Sequence, residues 1–483
     1  MSQLNPKSDP RQICIALNEN TPKGGLFEGD REHVHPKSNL PWRISPEPFW
    51  LSAEQKNELE ELGDSLHRFY KAANTLYHQS RKGIQPDWIA EYLDLGKPTQ
   101  ITEMGLWNRI KSQLPLIMRP DLLLTEEGFR LVEMDSVPGG MGFTAQISHL
   151  YSDLGYKLIG GRNGLVEGFY NALSTSTKTE KPTVAFVVSD ESESYRTEMQ
   201  WIADKFRQNH TRAYCVHPRD IHFDSGGLFI KDEGHEYRID AVYRFFELFD
   251  LKNIPKVELI SYFTKKNNVR LTPPPKAYLE EKLWLALFHH PNLKSFWEKE
   301  LLKPAFEQLS KLIPQTWILD PRPIPPHASV SNLQIDDMYI NNWNQLKGLN
   351  KKHREMVIKP SGFSELAYES KGISVGHDMS EETWKDSIQK GLDNFEQTPH
   401  ILQKFHKSTR QTMRYYDFYE DKLKTMRGRT LLRPYFYLIG DKPNLAGVQA
   451  VVCPPDKKIL HGMVDAIITP CAIKTEKQQE EIF

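Results

Sequence analysis

A strand–helix–strand pattern in the middle of the chain constrains its fold more than any other feature. Val184–Val188 is a run of apolar residues, a polar segment of helical character continues to about Asn209, and Ala213–Val216 is again mostly apolar. Two strands joined through a helix pair in parallel, because parallel strands need a long crossover. Ala241–Arg244 reads as a further strand of the same sheet. We therefore predict a parallel α/β unit in the middle of the chain.

Helical segments are predicted on both sides of this unit. Residues 53–80 carry leucine and aromatic residues at helical spacing, and Ser52 is a suitable N-cap for that helix. Residues 86–115 and 277–313 continue in the same pattern. Residues 1–50 are rich in proline, asparagine and charge, which predicts an irregular arm. The fold class is therefore α/β with α+β elements.

Two hairpins are predicted outside the parallel sheet. Leu122–Leu124 and Phe129–Met134 are short apolar runs on either side of a turn, and the second run leads into the glycine-rich loop Pro138–Gly140. Leu431–Ile439 and Ala446–Val452 form the second hairpin, around the turn Gly-Asp-Lys-Pro. After it, the chain is expected to end in a polar tail.

The charge balance argues against whole classes of partner. Lys and Arg number 62, and Asp and Glu number 63, so no global charge attracts nucleic acid or an anionic membrane. No apolar run approaches the roughly 20 residues that span a bilayer, and the first residues lack a signal-peptide pattern. The four cysteines are far apart and form no CxxC pair, which fits a reducing compartment. We expect a cytoplasmic protein without a nucleic-acid or membrane partner.

Alternating charged residues on the first hairpin point to metal chemistry. Glu133 and Asp135 are two residues apart on a strand, so their side chains share one face. Two carboxylates repel each other unless a cation neutralises them, and Mg²⁺ takes one or two carboxylates together with water and phosphate. Arg119 and Asp121 share a face of the preceding strand in the same way. The pair predicts a Mg²⁺–ATP platform; the alternatives are an exposed acidic strand and, for Arg119, a salt bridge to Asp121 or Glu133.

A lysine at the end of another short strand suits a phosphate group. Lys359 follows Val357 and Ile358 and precedes a loop that contains Gly362, with further glycines up to Gly376. A lysine can contact phosphate as a point charge, and backbone N–H groups of a glycine-bearing loop can cradle it. The loop does not match the Walker A pattern, which disfavours a P-loop nucleotidase. A plain surface loop is the alternative.

Taken in order, these motifs resemble the circularly permuted ATP-grasp ligases, the superfamily that includes glutathionylspermidine synthetases and eukaryotic glutathione synthetases. The matching pieces are MRPDLLL, LVEMDSVPGGMG, PTVAFVV, IDAVYRF, LEEKLWL, VIKPSGF, ILQKF and LLRPYFY. The resemblance implies an ATP-grasp fold with an embedded parallel-sheet pre-ATP-grasp domain. It divides the chain into four segments: 1–115, an arm and helices; 116–180, the metal-binding hairpin; 181–275, the α/β domain; and 276–483, the nucleotide-binding part with a lid loop at 361–376.

The resemblance also implies roles for individual residues. The implied metal ligands are Glu133, Asp135 and Glu365, with Asp135 standing where the family has asparagine. The implied nucleotide contacts are Lys282, Lys359, Ser361, Gly362 and a hinge formed by Gln403, Lys404 and Phe405. The implied catalytic residues are Arg119, Asp121 and Arg433. Arg244 matches an arginine of the α/β domain, for which a functional and a structural role both stay open.

The activity implied by the resemblance is ATP-dependent ligation of a carboxylate to an amine through an acyl phosphate, with ATP and Mg²⁺ as cofactors. An amino acid, a short peptide or a polyamine would serve as substrate, and the sequence does not choose among them or define an oligomeric state. One alternative is a degenerate ATP-grasp domain that binds nucleotide or a partner without ligation. Another is a phosphotransferase on the same scaffold.

Overall fold

The structure is a computed structural model of the 483-residue chain. It describes residues 4–22, 24, 40–135, 137–324, 328–367, 371–457, 459–460 and 464–474. The predicted polar tail and parts of the predicted N-terminal arm and lid loop lie outside the described residues.

Twenty strands are assigned within the described residues. In chain order they are β1 (Phe49–Leu51), β2 (Ile117–Thr125), β3 (Gly128–Asp135), β4 (Val184–Val188), β5 (Ala213–Val216), β6 (His222–Asp224), β7 (Gly227–Asp232), β8 (His235–Arg238), β9 (Ala241–Phe245), β10 (Arg270–Thr272), β11 (Thr316–Ile318), β12 (Gln334–Ile335), β13 (Met338–Tyr339), β14 (Met356–Pro360), β15 (Ser374–Val375), β16 (His400–Lys404), β17 (Arg410–Asp417), β18 (Lys422–Ile439), β19 (Lys442–Cys453) and β20 (Ile467–Ile473).

The same part of the chain contains eleven α-helices. They are α1 (Pro10–Asn20), α2 (Ala53–Ser80), α3 (Trp88–Asp94), α4 (Thr99–Gly105), α5 (Met141–Asp153), α6 (Gly164–Thr177), α7 (Arg196–Gln208), α8 (Val257–Lys265), α9 (Leu283–Phe288), α10 (Lys294–Leu312) and α11 (Glu381–Asp393). Ser52 caps α2 as predicted, and Gln55 completes a capping box with it. Helix α1 corrects the prediction that residues 1–50 are an irregular arm: its N-cap Asp9 accepts from the backbone of Arg11, and its apolar side packs into the core.

The largest sheet joins strands from both ends of the chain and from its middle. Its order is β1-β20-β19-β18-β2-β3, with β17 also paired to β18. Both predicted hairpins, β2–β3 and β18–β19, are confirmed, and β18 pairs with β2 so that the two hairpins lie side by side. One face of this sheet packs against α2 through residues such as Leu122 and Leu432, whereas the opposite face meets α5 through residues such as Leu431.

The parallel α/β unit is confirmed. Strands β10, β9, β4 and β5 form a four-stranded sheet in which every pairing is parallel. Successive residues of β4 enter two different cores: Phe186 packs in one, and Ala185 and Val187 pack in the other. A parallel sheet is usually covered on both faces, which explains why the β4 sequence is apolar throughout.

A third sheet, β11-β16-β14-β15, is antiparallel and carries the predicted lysine strand. Its far side packs against α11 through a separate cluster that includes Trp384 and Ile358. The mixed α/β class is confirmed, since the chain has several sheets of which one is parallel.

Among the helices of the described residues, none has both the length and the apolar character that a bilayer span requires.

Candidate active site

A cavity of about 860 Å³ lies between the charged face of the large sheet and the sheet of β14 and β16. Strand alternation explains its composition, because residues two apart on one strand point to the same side. Leu122 and Leu432 enter the core beneath the sheet, while Asp121 and Arg433 line the cavity above it. The charged residues that line it are Arg119, Asp121, Glu133, Asp135, Glu191, Glu247, Glu280, Lys282, Lys359, Lys404, Arg429 and Arg433.

The β2–β3 hairpin places its four predicted site residues opposite one another. Arg119 is paired in register with Asp135, and Asp121 with Glu133. The Arg119 guanidinium forms ion pairs with Asp121 at 3.0 Å and with Asp135 at 2.7 Å, and it donates a hydrogen bond to the Gly139 carbonyl at 2.9 Å. The alternative of a salt bridge from Arg119 to Asp121 is therefore correct, and Arg119 holds the hairpin and the glycine-rich loop together.

A bulge in β3 creates the contact that fixes Lys359. The β2–β3 register shifts between Asp121 and Leu122, so that Val132 has no cross-strand partner. The Val132 carbonyl accepts a hydrogen bond from Lys359 Nζ at 2.6 Å, and Gln403 Oε1 accepts a second from the same ammonium at 2.9 Å. Burial lowers the pKa of Lys359 to about 8, although the charge of Glu133 opposes the shift.

Lys282 connects the predicted metal pair with the predicted lid. It precedes α9 as the N-cap residue. Its Nζ lies 3.2 Å from Glu133 Oε2 and donates to the Ala367 carbonyl at 2.7 Å. Burial acts to raise the pKa of Glu133, but Lys282 and Lys359 outweigh it and lower that pKa to about 2. Glu133 is therefore ionised between two lysines.

Arg433 faces the other side of Asp121. Its Nε lies 3.1 Å from Asp121 Oδ2, and its guanidinium donates to Gln449 at 3.4 Å. Asp121 is thus held by Arg119 and Arg433 together. Burial raises the pKa of Asp135, and the nearby charge of Arg119 counteracts this effect.

The glycine-rich loop is fixed by a carboxylate from the α/β unit. Gly140 has a φ of +79° at the start of α5, a conformation that favours glycine. A Cβ at Gly139 would lie 2.2 Å from the Tyr195 ring. The buried side chain of Glu198, on α7, accepts from Gly140 N at 2.8 Å and from Phe143 N at 3.0 Å. Burial raises the pKa of Glu198 to about 7.

The loop after β14 is held from below by another carboxylate. Glu281 accepts from the Ser361 hydroxyl at 2.7 Å and from Gly362 N at 3.1 Å, and it pairs with the buried Lys97. Ser361 is buried and its donor is used inside the protein, whereas Gly362 lines the cavity. Glu365, predicted as a metal ligand, is exposed in this loop. The carboxylate that lies opposite Glu133 is Asp121 instead.

The predicted hinge lines the cavity on the β16 side. Gln403, Lys404 and Phe405 all do so. The backbone N–H groups of Lys404 and Phe405 donate to the carbonyls of Gln315 and Glu355. These two backbone N–H groups of the predicted hinge are thus engaged within the protein in this conformation. Gln403 is buried and accepts a hydrogen bond from Lys359, whereas Lys404 is exposed.

Arg244 is held inside the protein by groups of its own chain. Its side chain is fully buried, forms an ion pair with Glu280 and donates to the Phe246 carbonyl. Glu280 and Glu247 both line the cavity. Burial and the charge of Glu280 raise the pKa of Glu247 to about 8.

Two carboxylates of the cavity, Glu133 and Asp135, could take part in a Mg²⁺ site that water or another ligand completes. Among the described residues, no group of three or more His, Cys, Asp and Glu side chains could hold a metal ion by itself. Mg²⁺ commonly takes only one or two carboxylates and completes its shell with water and phosphate oxygens. The Glu133 and Asp135 side chains are 26% and 32% exposed, and both line the cavity. Each is ion-paired in this structure, Glu133 with Lys282 and Asp135 with Arg119.

Sequence reasoning missed several residues that shape this cavity. They are Glu198, Glu247, Glu281 and Arg429. Glu281 could have been noticed in the sequence, because it stands directly before Lys282 at the start of an apolar helix. Adjacent charges in such a place often have a structural role. Glu198 carried no such signal, since its partners lie more than 50 residues away in the chain.

Comparison with known proteins places this fold. No family model matches the chain, and no curated protein matches it. Among solved structures, a glutathione synthetase-like effector from Globodera pallida in its apo form is similar, with a TM-score of 0.54 and 10% sequence identity over 97% of this chain and 98% of that one. The chain therefore has a fold like that of glutathione synthetase-like proteins.

A putative gamma-glutamylcysteine synthetase from Methylobacillus flagellatus KT is also similar. It has a TM-score of 0.40 and 11% identity over 87% of this chain and 89% of that one. A likeness at that level carries no weight for the fold.

Proposed function

We propose that this chain is an ATP-dependent ligase of the circularly permuted ATP-grasp type, which joins a carboxylate to an amine. One observation carries the proposal: in a single large cavity, Lys282 pairs with Glu133, and Lys359, from a different part of the chain, binds the carbonyl of the adjacent Val132, with Asp135 on the same strand. Two cations with two carboxylates are the groups that a phosphoryl transfer from Mg²⁺–ATP requires. In this proposal the four predicted segments are parts of one catalytic unit, since strands of three of them share the large sheet.

The reaction would proceed in two displacements. A carboxylate oxygen of the acid attacks the γ-phosphorus of ATP, and ADP leaves. The amine nitrogen then attacks the acyl carbon, and inorganic phosphate leaves as the amide forms. Bound Mg²⁺ would neutralise phosphate charge during the first step.

The residues of the chain would act mainly by position and charge. Lys359 and Lys282 would hold the phosphoryl oxygens as charge shifts between them. Arg119 would not contact the acid, because its guanidinium already spans Asp121, Asp135 and the glycine-rich loop. The loop 361–376 would exclude water from the acyl phosphate.

The test uses Lys359→Ala and Glu133→Ala, with Lys303→Ala on the exposed surface of α10 as a control. Phosphate release from Mg²⁺–ATP is measured across a panel of amino acids, short peptides and polyamines. We expect both site variants to lose at least about 100-fold in rate, as preorganised charged groups usually cost on removal, while the control keeps the wild-type rate. Unchanged rates in both site variants would exclude this site.

A binding module without ligation is the second candidate, and the Arg119–Asp135 ion pair favours it. That pair occupies a carboxylate that a metal would otherwise use. Calorimetry with Mg²⁺–ATP separates the two functions. Nucleotide binding without phosphate release across the whole panel would support the module and contradict the ligase, and a stable phosphorylated product would identify a phosphotransferase.

A further inference from the structure

Strand β18 carries arginines on the charged face of the large sheet, both inside the cavity and beyond it. Arg427, Arg429 and Arg433 are odd-numbered residues of β18 in a stretch of regular pairing, so they share one face. Arg433 and Arg429 line the cavity, and Arg427 is exposed beyond it. Arg410 lies directly opposite Arg429 on β17 and is also exposed. We call Arg410, Arg427 and Arg429 the arginine row.

The arginine row contains one pair of like charges, Arg410 and Arg429, that is mildly unfavourable for the protein alone. Within the described residues, none of its three guanidinium groups forms an ion pair with a carboxylate. Arg414, on the same face of β17, shows the contrast, since Glu47 binds it at 3.0 Å. Like charges directly opposite each other across two strands are destabilising. An anionic ligand would remove that cost at the Arg410–Arg429 pair.

The charge balance inside the cavity points in the same direction. Arg119 and Arg433 are engaged by Asp121, and Lys282 by Glu133. Arg429 is therefore a cavity-lining cation that remains available to an anionic substrate. It lies at the outer end of the cavity floor, where the arginine row begins.

We propose that the acid substrate is an acidic peptide whose anionic chain leaves the cavity along the arginine row. This inference rests on the proposed function, because the reacting carboxylate would lie near Arg433 and the further carboxylates would meet Arg429, Arg410 and Arg427. Alternate residues of a strand are about 7 Å apart, so Arg433 to Arg427 spans about 20 Å. That distance corresponds to about six residues of an extended peptide. Arginine binds carboxylates bidentately and suits such a chain.

The shape of the basic surface favours a single acidic strand over a nucleic acid. The basic strip ends at the β17–β18 turn, where Asp417 and Glu420 neutralise Lys424 and Lys422. The whole chain has a net charge of −1. A nucleic-acid-binding domain is usually basic overall, whereas this chain is nearly neutral and its narrow row of arginines leads into a cavity, which fits an extended peptide.

The experiment measures binding of a fluorescently labelled hexaglutamate by anisotropy, using the full-length chain. The site variant is Arg410→Gln/Arg427→Gln, and the matched control is Lys299→Gln/Lys303→Gln on α10, which removes the same charge from exposed positions elsewhere. We expect binding that weakens with salt, a loss of about tenfold or more in the site variant, and a change within about twofold in the control. Equal affinity of the site variant and the wild type would overturn the proposal.

Two further measurements separate binding of an acidic peptide from binding of nucleic acid and from a failure of the proposed ligase activity. An RNA oligonucleotide of equal charge that binds more tightly than hexaglutamate would overturn it in favour of nucleic acid. Phosphate release is measured with glutamate and with hexaglutamate. A loss in the site variant with hexaglutamate alone supports the inference. An absence of release with every acid would contradict the ligase, and the anisotropy result would still decide what the arginine row binds.

Discussion

The two ends of the cavity handle charge in opposite ways. At the inner end three carboxylates of the β2–β3 hairpin each face a cation, with Arg119 between Asp121 and Asp135 and Lys282 against Glu133. At the outer end, Arg410 and Arg429 face each other without a carboxylate among the described residues. Paired charges are fixed in place before a substrate arrives, and unpaired charges are available to bind one. The difference suggests that chemistry and recognition are divided between the two ends.

Removal of Arg119 should disrupt the ion pairs at the inner end of the cavity and should have the largest effect on the free energy of unfolding. Arg119→Met leaves Asp121 and Asp135 without their shared cation. Breaking a buried pair by removing one partner costs about 3–5 kcal/mol, and we expect that loss in the free energy of unfolding measured with urea. Arg433→Met is the matched control with a smaller loss, because its side chain is 21% exposed and Asp121 keeps Arg119. A loss below about 1 kcal/mol in Arg119→Met would show that the inner charges are not held together in this way.

The affinity for ATP should depend on pH through Lys359 at the inner end, and this effect should be of intermediate size. The pKa of Lys359 is lowered to about 8, so the lysine is charged below that pH and becomes neutral as the pH rises through it. If Lys359 binds phosphate, the ATP dissociation constant should increase up to about tenfold for each pH unit above 8. Calorimetry from about pH 6.5 to 9.5 measures this. Lys359→Met should bind weakly at every pH, and a flat wild-type profile would contradict the role given to Lys359.

At the outer end, two substitutions on β17 should change the free energy of unfolding by small amounts of opposite sign. Arg410→Gln removes a like charge from opposite Arg429, so the free energy of unfolding should rise by about 0.2–1 kcal/mol. Arg414→Gln, on the same face of the same strand, removes the ion pair with Glu47 and should lower it by a similar amount. Thermal denaturation of the two variants at low salt measures both changes. A decrease in both would indicate that Arg410 has a stabilising partner.

The fold was predictable wherever local pattern decides it. The apolar run of β4, the helix that follows it and the two hairpins have periodicity or turn residues that identify them, and all are confirmed. The parallel pairing of β1 with β20 was not predictable, because it joins segments about 420 residues apart and each strand is short. Helix α1 was missed because its apolar residues are few and lie within a proline- and charge-rich stretch.

The candidate site divides in the same way. The spacing of Glu133 and Asp135 on a strand was enough to put both in one cavity. The bulge at Val132, which supplies a carbonyl for Lys359, follows from how two strands pair and leaves no mark in either sequence. The sequence left Asp121 and Glu133 as alternative partners of Arg119, and of these two only Asp121 is confirmed. The structure selects Asp121 and Asp135 through the register of the hairpin.

The arrangement of the large sheet also has a consequence for the order of events during protein synthesis. Strand β2 leaves the ribosome roughly 300 residues before its neighbour β18. Until β18 has emerged, the hairpin that carries Glu133 and Asp135 lacks Arg433 and half of its sheet. A nascent chain therefore cannot form the cavity before β18 has been synthesised. The same delay leaves an open strand edge exposed for most of translation, and this edge is where the unfinished protein would be most prone to aggregate.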